Sequence, residues 1–101
     1  ISLKENIETI EEPLSLVRRM RGVRYDRSDI QDNRKHVGVI AQEMEQVLPE
    51  VVNVDENGLR TVAYGNINGV LIEAIKQLEK QVVSQYDLIL KLQSEIQELR
   101  G

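Results

Sequence analysis

The sequence predicts an α+β fold in which a small domain of short helices and two β-hairpins leads into a long C-terminal helix. Two observations carry this prediction. Apolar residues recur at alternating steps of three and four through the last third of the chain, and two pairs of alternating segments each flank a polar turn. We expect residues 1–65 to form the small domain and residues 66–101 to form the helix.

The first twenty residues carry apolar side chains at helical spacing, and Pro13 interrupts them. Proline is tolerated in the first turn of a helix but not in its interior. The spacing therefore predicts two short helices. One covers about 7–11, and the second begins at Glu12 or Pro13 and ends at Met20.

Two hairpins are predicted in the middle of the chain. The first covers about 23–40, where two segments of alternating character flank a polar stretch, so we expect its tip to project from the core. The second is indicated by Asn57-Gly58 between β-branched runs, which is a strong hairpin signal. A helix over 41–48 separates the hairpins and ends before Pro49, because a proline disfavours helical geometry in the preceding residue.

The long helix has a heptad pattern whose first a position is Asn68. About 30 residues at a rise of 1.5 Å span about 45 Å, which is more than the rest of the chain can cover. A 3.5-residue period over four heptads is typical of a supercoil with partner helices. We therefore expect the chain to oligomerise through a core, the seam, formed by Leu71, Ile75, Leu78, Val82, Gln85, Ile89, Leu92, Ile96 and Leu99.

The number of helices in this oligomer stays open at the level of the pattern. Ile or Val at position a with Leu at d favours a dimer. Apolar residues that flank the seam, such as Ile72 at e and Leu88 at g, favour three helices or a helix that its own domain also covers. Val70 and Val83 widen the apolar stripe further, and Gln85 in the core weakens the bundle while fixing its register.

Composition argues against several classes of function. The chain has no cysteine, a single histidine and a formal charge of -4, with both signs interspersed. A disulfide framework, a metal centre and a nucleic-acid surface are therefore not expected. No apolar run reaches the roughly 18 residues of a membrane span. We expect no cofactor, no nucleic-acid partner and no membrane partner.

Spacing alone shows no catalytic constellation. His36 has no serine and acid at a distance along the chain that singles out a triad. Gly65 and Gly69 lack the lysine and hydroxyl residue of a phosphate-binding loop. On these grounds the chain is an oligomerising adaptor.

Four motifs in order add a resemblance that covers nearly the whole chain. They are Leu3-Lys4-Glu5-Asn6-Ile7, the block 21–25, the block 38–45 with Leu48-Pro49-Glu50 after it, and Tyr64 with the block 71–78. In this order they resemble the C-terminal intramolecular chaperone domain of endosialidase-type phage tailspikes, fibres and neck appendages.

The resemblance implies a homotrimer that assists folding of the β-rich chain upstream and then cuts itself off near its own start. In the family the cut uses a Ser-Lys dyad in a Ser-Asp-x-x-Leu-Lys pattern. The lysine of that pattern falls on Lys4, and its serine falls two positions before Ile1, outside this sequence. Ser2 stands where the pattern often has arginine. Such a domain acts in the host cytoplasm during virion assembly.

Physical chemistry sets a condition on such a dyad. A serine hydroxyl needs a base, and a lysine amine is a base only when it is neutral. Burial or nearby positive charge lowers a lysine pKa, so cleavage would await assembly. The alternatives are a trimerisation module that never cuts and a coiled-coil adaptor for a cellular partner.

Overall fold

The computed structural model describes residues 3–101. Its elements, in chain order, are α1 (Pro13–Arg19), β1 (Val23–Tyr25), β2 (His36–Gly38), α2 (Ala41–Val47), β3 (Val52–Val54), β4 (Arg60–Val62) and α3 (Tyr64–Arg100). A 3-10 turn, Pro49–Val51, precedes β3. The α+β class with a long C-terminal helix is therefore confirmed.

The segment before α1 is not helical, so the predicted helix over 7–11 is wrong. Residues 7–11 carry no helix, and Asn6 and Glu12 on either side have φ angles of 53° and 49°, in the left-handed region where a right-handed helix cannot continue. Pro13 follows Glu12 directly and starts α1, because its fixed φ suits the first helical position. Ile10 then packs beside Gly69, with its Cδ1 3.6 Å from the point that a Cβ there would occupy.

The two predicted hairpins are present as two separate antiparallel sheets. β1 pairs with β2, with Val23 opposite Gly38, and the connecting residues 26–35 are all exposed. β3 pairs with β4 through a turn at Gly58, whose φ of 80° is readily adopted only by glycine. The carboxylate of Asp55 closes this turn, since it accepts bonds from the backbone N–H groups of Asn57 and Leu59 at 2.8 and 2.9 Å.

The hydrophobic core is small and includes the start of α3. Met44 on α2, Val51 in the 3-10 turn and Ile67 on α3 are buried together. The half-buried side chains packed against them are Met20, Val39, Leu48, Val52 and Val62. Val70 and Ala74 extend the buried face of α3 by two turns.

Two long-range hydrogen bonds fix the direction in which α3 leaves the small domain. The N–H of Leu14 donates to Oε1 of Gln77 at 3.1 Å, which ties the start of α1 to the fourth turn of α3. The N–H of Val39 donates to the hydroxyl of Tyr64 at 3.2 Å, which ties the end of β2 to the start of α3. In total, α3 is 37 residues long, and the molecule measures 72 × 44 × 24 Å.

Candidate functional site

The seam forms a row on one side of α3 that is apolar except at Gln85, and its side chains are exposed in the single chain. Leu78, Ile89 and Leu92 are 50%, 52% and 47% exposed. From Leu78 to Arg100 every residue of α3 is exposed. Contiguous apolar surface of this kind marks an interaction site, because a monomer rarely leaves it in water.

The face of α3 that packs on the small domain is distinct from the seam. Ile67, Val70 and Ala74 form the packed face, and all three are buried. At 100° per residue this face lies roughly a quarter of a turn from the seam. The small domain therefore covers one side of the helix and leaves the seam free. Val70, which widened the predicted apolar stripe, belongs to the packed face.

Apolar residues at the flanks of the seam stay exposed as well. Ile72 at e is 56% exposed and Leu88 at g is 54% exposed. Val83 and Leu90, both at b, are 52% and 46% exposed. In a coiled coil the e and g positions border the core, whereas b faces outward.

The N-terminal segment carries the lysine singled out by the motif. Lys4 is exposed and lies in a stretch with neither helix nor strand, between Leu3 and Ile7, which are 98% and 78% exposed. Ser2 and the positions before Ile1 lie outside the described residues. The structure therefore places the seam residues together on α3 and Lys4 on a separate segment that leads into Ile10 and α1.

A cleft of about 550 Å³ separates the N-terminal segment from the core. Glu8, Glu11 and Glu50 contribute carboxylates to its lining, and Leu48 and Val70 contribute apolar surface. No local pattern indicated this cleft, because its walls come from segments about 40 to 60 residues apart in sequence. Tyr64 and Gln77 were missed as bridging residues for the same reason.

Two ion pairs shift the pKa values of acids on the surface. Hydrogen bonds and charge attraction from Arg21 hold the pKa of Glu43 below its usual range, and Arg21 Nε lies 3.0 Å from Glu43 Oε1. In the tip of the first hairpin, Arg27 lowers the pKa of Asp29 in the same way. Both pairs are exposed, so they contribute modestly to folding.

Residues 3–101 contain no cluster of three or more His, Cys, Asp or Glu side chains placed to hold a metal ion. None of the helices in this range is long and apolar enough to cross a membrane.

Comparison with known protein families gives the same family as the four sequence motifs. The sequence profile of the family described as chaperone of endosialidase matches residues 1–53. The chain belongs to this family. The family resemblance inferred from Leu3–Ile7 and the later motifs is thereby confirmed.

Several relatives of this family member are phage fibre proteins. The chain is 34% identical over 89 residues to long tail fiber protein Gp37 of Enterobacteria phage K3, an alignment that covers 81% of this chain and 7% of that protein. It is 33% identical over 88 residues to Gp37 of Enterobacteria phage M1, covering 79% and 35%. Gp37 of Salmonella phage S16 is 26% identical over 103 residues, covering 86% and 14%. The chain thus spans only a minor part of the length of each relative.

Proposed function

We propose that this chain is the chaperone module of a phage fibre protein. In this proposal it assembles as a parallel homotrimer through the seam of α3, assists folding of the β-rich chain upstream, and is then released by self-cleavage with Lys4 as the base. Its membership of the chaperone of endosialidase family and its similarity to long tail fibre proteins support the assembly role. Its place of action would be the host cytoplasm during virion assembly.

The exposed seam is the observation that carries the proposal. Residues 78–100 bury no side chain within the single chain, yet the helix continues through them. Helical stability in proteins comes mainly from packing of an apolar face, and an isolated helix is marginal in water. Partner helices on the seam supply that packing. The module would therefore be stable along its whole length only after assembly.

Residues that border the seam favour a parallel arrangement of three helices. In a parallel coiled coil a g residue lies near the e residue five positions further along the next helix. Glu95 occupies g and Arg100 occupies e, so opposite charges meet near the end of the bundle. Ile72 at e and Leu88 at g extend the apolar surface beyond a two-stranded seam.

Lys4 has the chemistry that the cleavage step requires. A neutral amine accepts the proton of the serine hydroxyl as its oxygen attacks the carbonyl carbon of the peptide bond to be cut, and it then passes that proton to the nitrogen that leaves. Water hydrolyses the resulting ester and restores the serine hydroxyl. In the single chain Lys4 is exposed. Packing of the N-terminal segments against one another in the trimer would bury the amine and favour its neutral form. Cleavage would then follow assembly and occur once per chain.

The test uses a longer chain that carries the residues encoded before Ile1, beside its Lys4→Ala variant. Denaturing gels and mass spectrometry should show a fragment that starts just before Ile1 in the unsubstituted chain, and an intact chain in the variant. Lys76→Ala is the matched control, because Lys76 is an exposed lysine on α3, and this variant should be cut normally. If both the unsubstituted chain and the Lys4→Ala variant stay whole as trimers, the module trimerises without cutting and the cleavage step is wrong.

One observation favours the adaptor as a second candidate. Val83 and Leu90 at b positions stay outside a three-helix seam and remain half exposed. A partner protein would cover them after self-assembly. Substitution of both by serine should leave trimer formation and cleavage unchanged for either function, and it should weaken binding of a partner protein only if the chain is an adaptor.

A further inference from the structure

An apolar groove lies at the head of α3, where the seam begins. Its volume is about 410 Å³, and its walls come from the end of α1 with residues 20–22 after it, the residue after β2, and α3. The apolar side chains that line it are Val17, Met20, Val39, Ile67 and Leu71. The groove also contains Asn68, so it shares its edge with the first a and d positions of the heptad pattern. The groove therefore adjoins the start of the seam at Leu71.

The heptad positions identify a side chain that reaches this groove from a second copy. Ile67 occupies g and lies on the groove, and Ile72, five residues later, occupies e. In a parallel bundle these two positions meet between neighbouring helices. We propose that Ile72 of each copy inserts into the groove of the next copy, where it contacts Ile67 and Val17, three times around the trimer. This inference rests on the parallel trimer proposed above.

The chemistry of the groove agrees with an aliphatic occupant. Its one charged lining residue, Arg21, is engaged by Glu43, with 3.0 Å between Nε and Oε1. Ile72 is 56% exposed in the single chain and does not line its own copy's groove. Burial of an isoleucine side chain contributes enough favourable free energy to strengthen assembly measurably.

Because of where the groove lies, the proposed contact of Ile72 depends on folding of the small domain. Two of its walls, α1 and the residue after β2, exist only when the small domain has folded. A seam on an isolated helix lacks these walls. Insertion of Ile72 would therefore couple assembly of α3 to completion of the small domain, so that partly folded copies associate more weakly than folded ones.

The absence of cysteine from the sequence allows a direct test by disulfide trapping. The full chain with Val17→Cys and Ile72→Cys is oxidised and run on a non-reducing denaturing gel. Each copy then offers one thiol on α1 and one on α3. Insertion therefore yields covalent dimers and closed covalent trimers, and a reductant returns them to single chains. The matched control is Val17→Cys with Lys76→Cys. Position 76 lies one helical turn further at an outward b position and should give no covalent oligomer.

The mass of the untreated chain in solution separates this inference from the proposal on which it depends. A trimer whose Val17→Cys/Ile72→Cys variant fails to cross-link, or cross-links only within one chain, overturns the insertion and leaves the trimer standing. A monomeric chain overturns both. As a second readout, Ile72→Ser should raise the concentration at half-assembly by about tenfold or more, whereas Lys76→Ser should not change it. Equal effects of the two serine variants would also overturn the insertion.

Discussion

The two parts of α3 carry one heptad pattern but differ in what surrounds them. In the upper part, Tyr64–Gln77, the side chains of Ile67, Val70 and Ala74 are buried in the small domain. In the lower part, from Leu78 to Arg100, every residue is exposed. The upper part is therefore held by its own chain, whereas the small domain gives the lower part no packing. The difference shows that a regular apolar pattern indicates where a helix packs but does not say on what.

The largest effect is expected from a charge placed in the lower part of the seam. Leu92 and Leu90 are almost equally exposed in the single chain, at 47% and 46%. They occupy d and b, so only Leu92 faces the core of a bundle. In the proposed trimer, Leu92→Asp would bury three carboxylates together and should weaken assembly by at least about a hundredfold. Leu90→Asp should leave it nearly unchanged.

Mass determination in solution over a range of concentrations checks this prediction. Circular dichroism of the same samples reports whether the lower part of α3 loses helix when Leu92 is replaced. If the two variants assemble equally, so that their particle masses in solution agree at every concentration, the heptad assignment is wrong. In the longer precursor chain, Leu92→Asp should also abolish cleavage if cleavage follows assembly, even though Lys4 is intact.

A second comparison uses the same substitution in the two parts of α3. Val70 is 2% exposed and Val83 is 52% exposed. Val70→Ala should lower the free energy of unfolding by about 1–3 kcal/mol, because it removes buried methyl groups and leaves a cavity. Val83→Ala should change it by no more than about 0.5 kcal/mol. Denaturant unfolding at one fixed chain concentration measures both. If both variants lose a similar free energy of unfolding, the lower part of α3 is also packed against other residues.

The next effect in size is expected at the junction between the first hairpin and α3. A Cβ at Gly38 would overlap the hydroxyl oxygen of Tyr64, which accepts the hydrogen bond from Val39. Tyr64 is 49% exposed, so its ring can shift, and Gly38→Ala should lower the free energy of unfolding by about 1 kcal/mol. Removing the hydroxyl relieves the overlap. Gly38→Ala with Tyr64→Phe should therefore be less destabilised than the sum of the single variants, and additive losses would contradict the clash.

Local signals in the sequence predicted most elements of the fold. Pro13 marked the start of α1, Asn57-Gly58 marked the second hairpin, and the heptads marked α3, because each signal acts within a few residues. The helix over 7–11 was predicted wrongly, since its apolar spacing is helical but the backbone is left-handed at Asn6 and Glu12.

Contacts between distant residues lay beyond the reach of such signals. The bond from Leu14 to Gln77 joins positions 63 apart, and no local pattern pairs them. Val70 and Val83 look alike in the sequence, and only the packing of the small domain distinguishes them. The roles of Lys4 and of the seam residues stay predictions, because they depend on neighbouring copies and on residues before Ile1.

The smallest effect is expected from the ion pair between Arg21 and Glu43, which joins the segment after α1 to the exposed side of α2. Arg21 Nη2 lies 2.5 Å from Glu43 Oε2, with both side chains about half exposed. Because the hydrogen bond from Arg21 lowers the pKa of Glu43, folding favours the ionised carboxylate. The resulting stability is present above the ordinary pKa of 4.5 and is lost as the pH falls through the lowered value.

A pH series of unfolding measurements on Glu43→Gln, Arg21→Gln and the double variant tests this contribution. The coupling between the two positions should be small at pH 7 and should vanish in acid, because protonation removes the charge that Arg21 binds. If the coupling persists unchanged well below pH 4.5, it comes from packing rather than charge. If it exceeds the loss from Val70→Ala at pH 7, the small domain depends on surface charge more than on its core. The contrast between the two parts of α3 would then need a different physical basis.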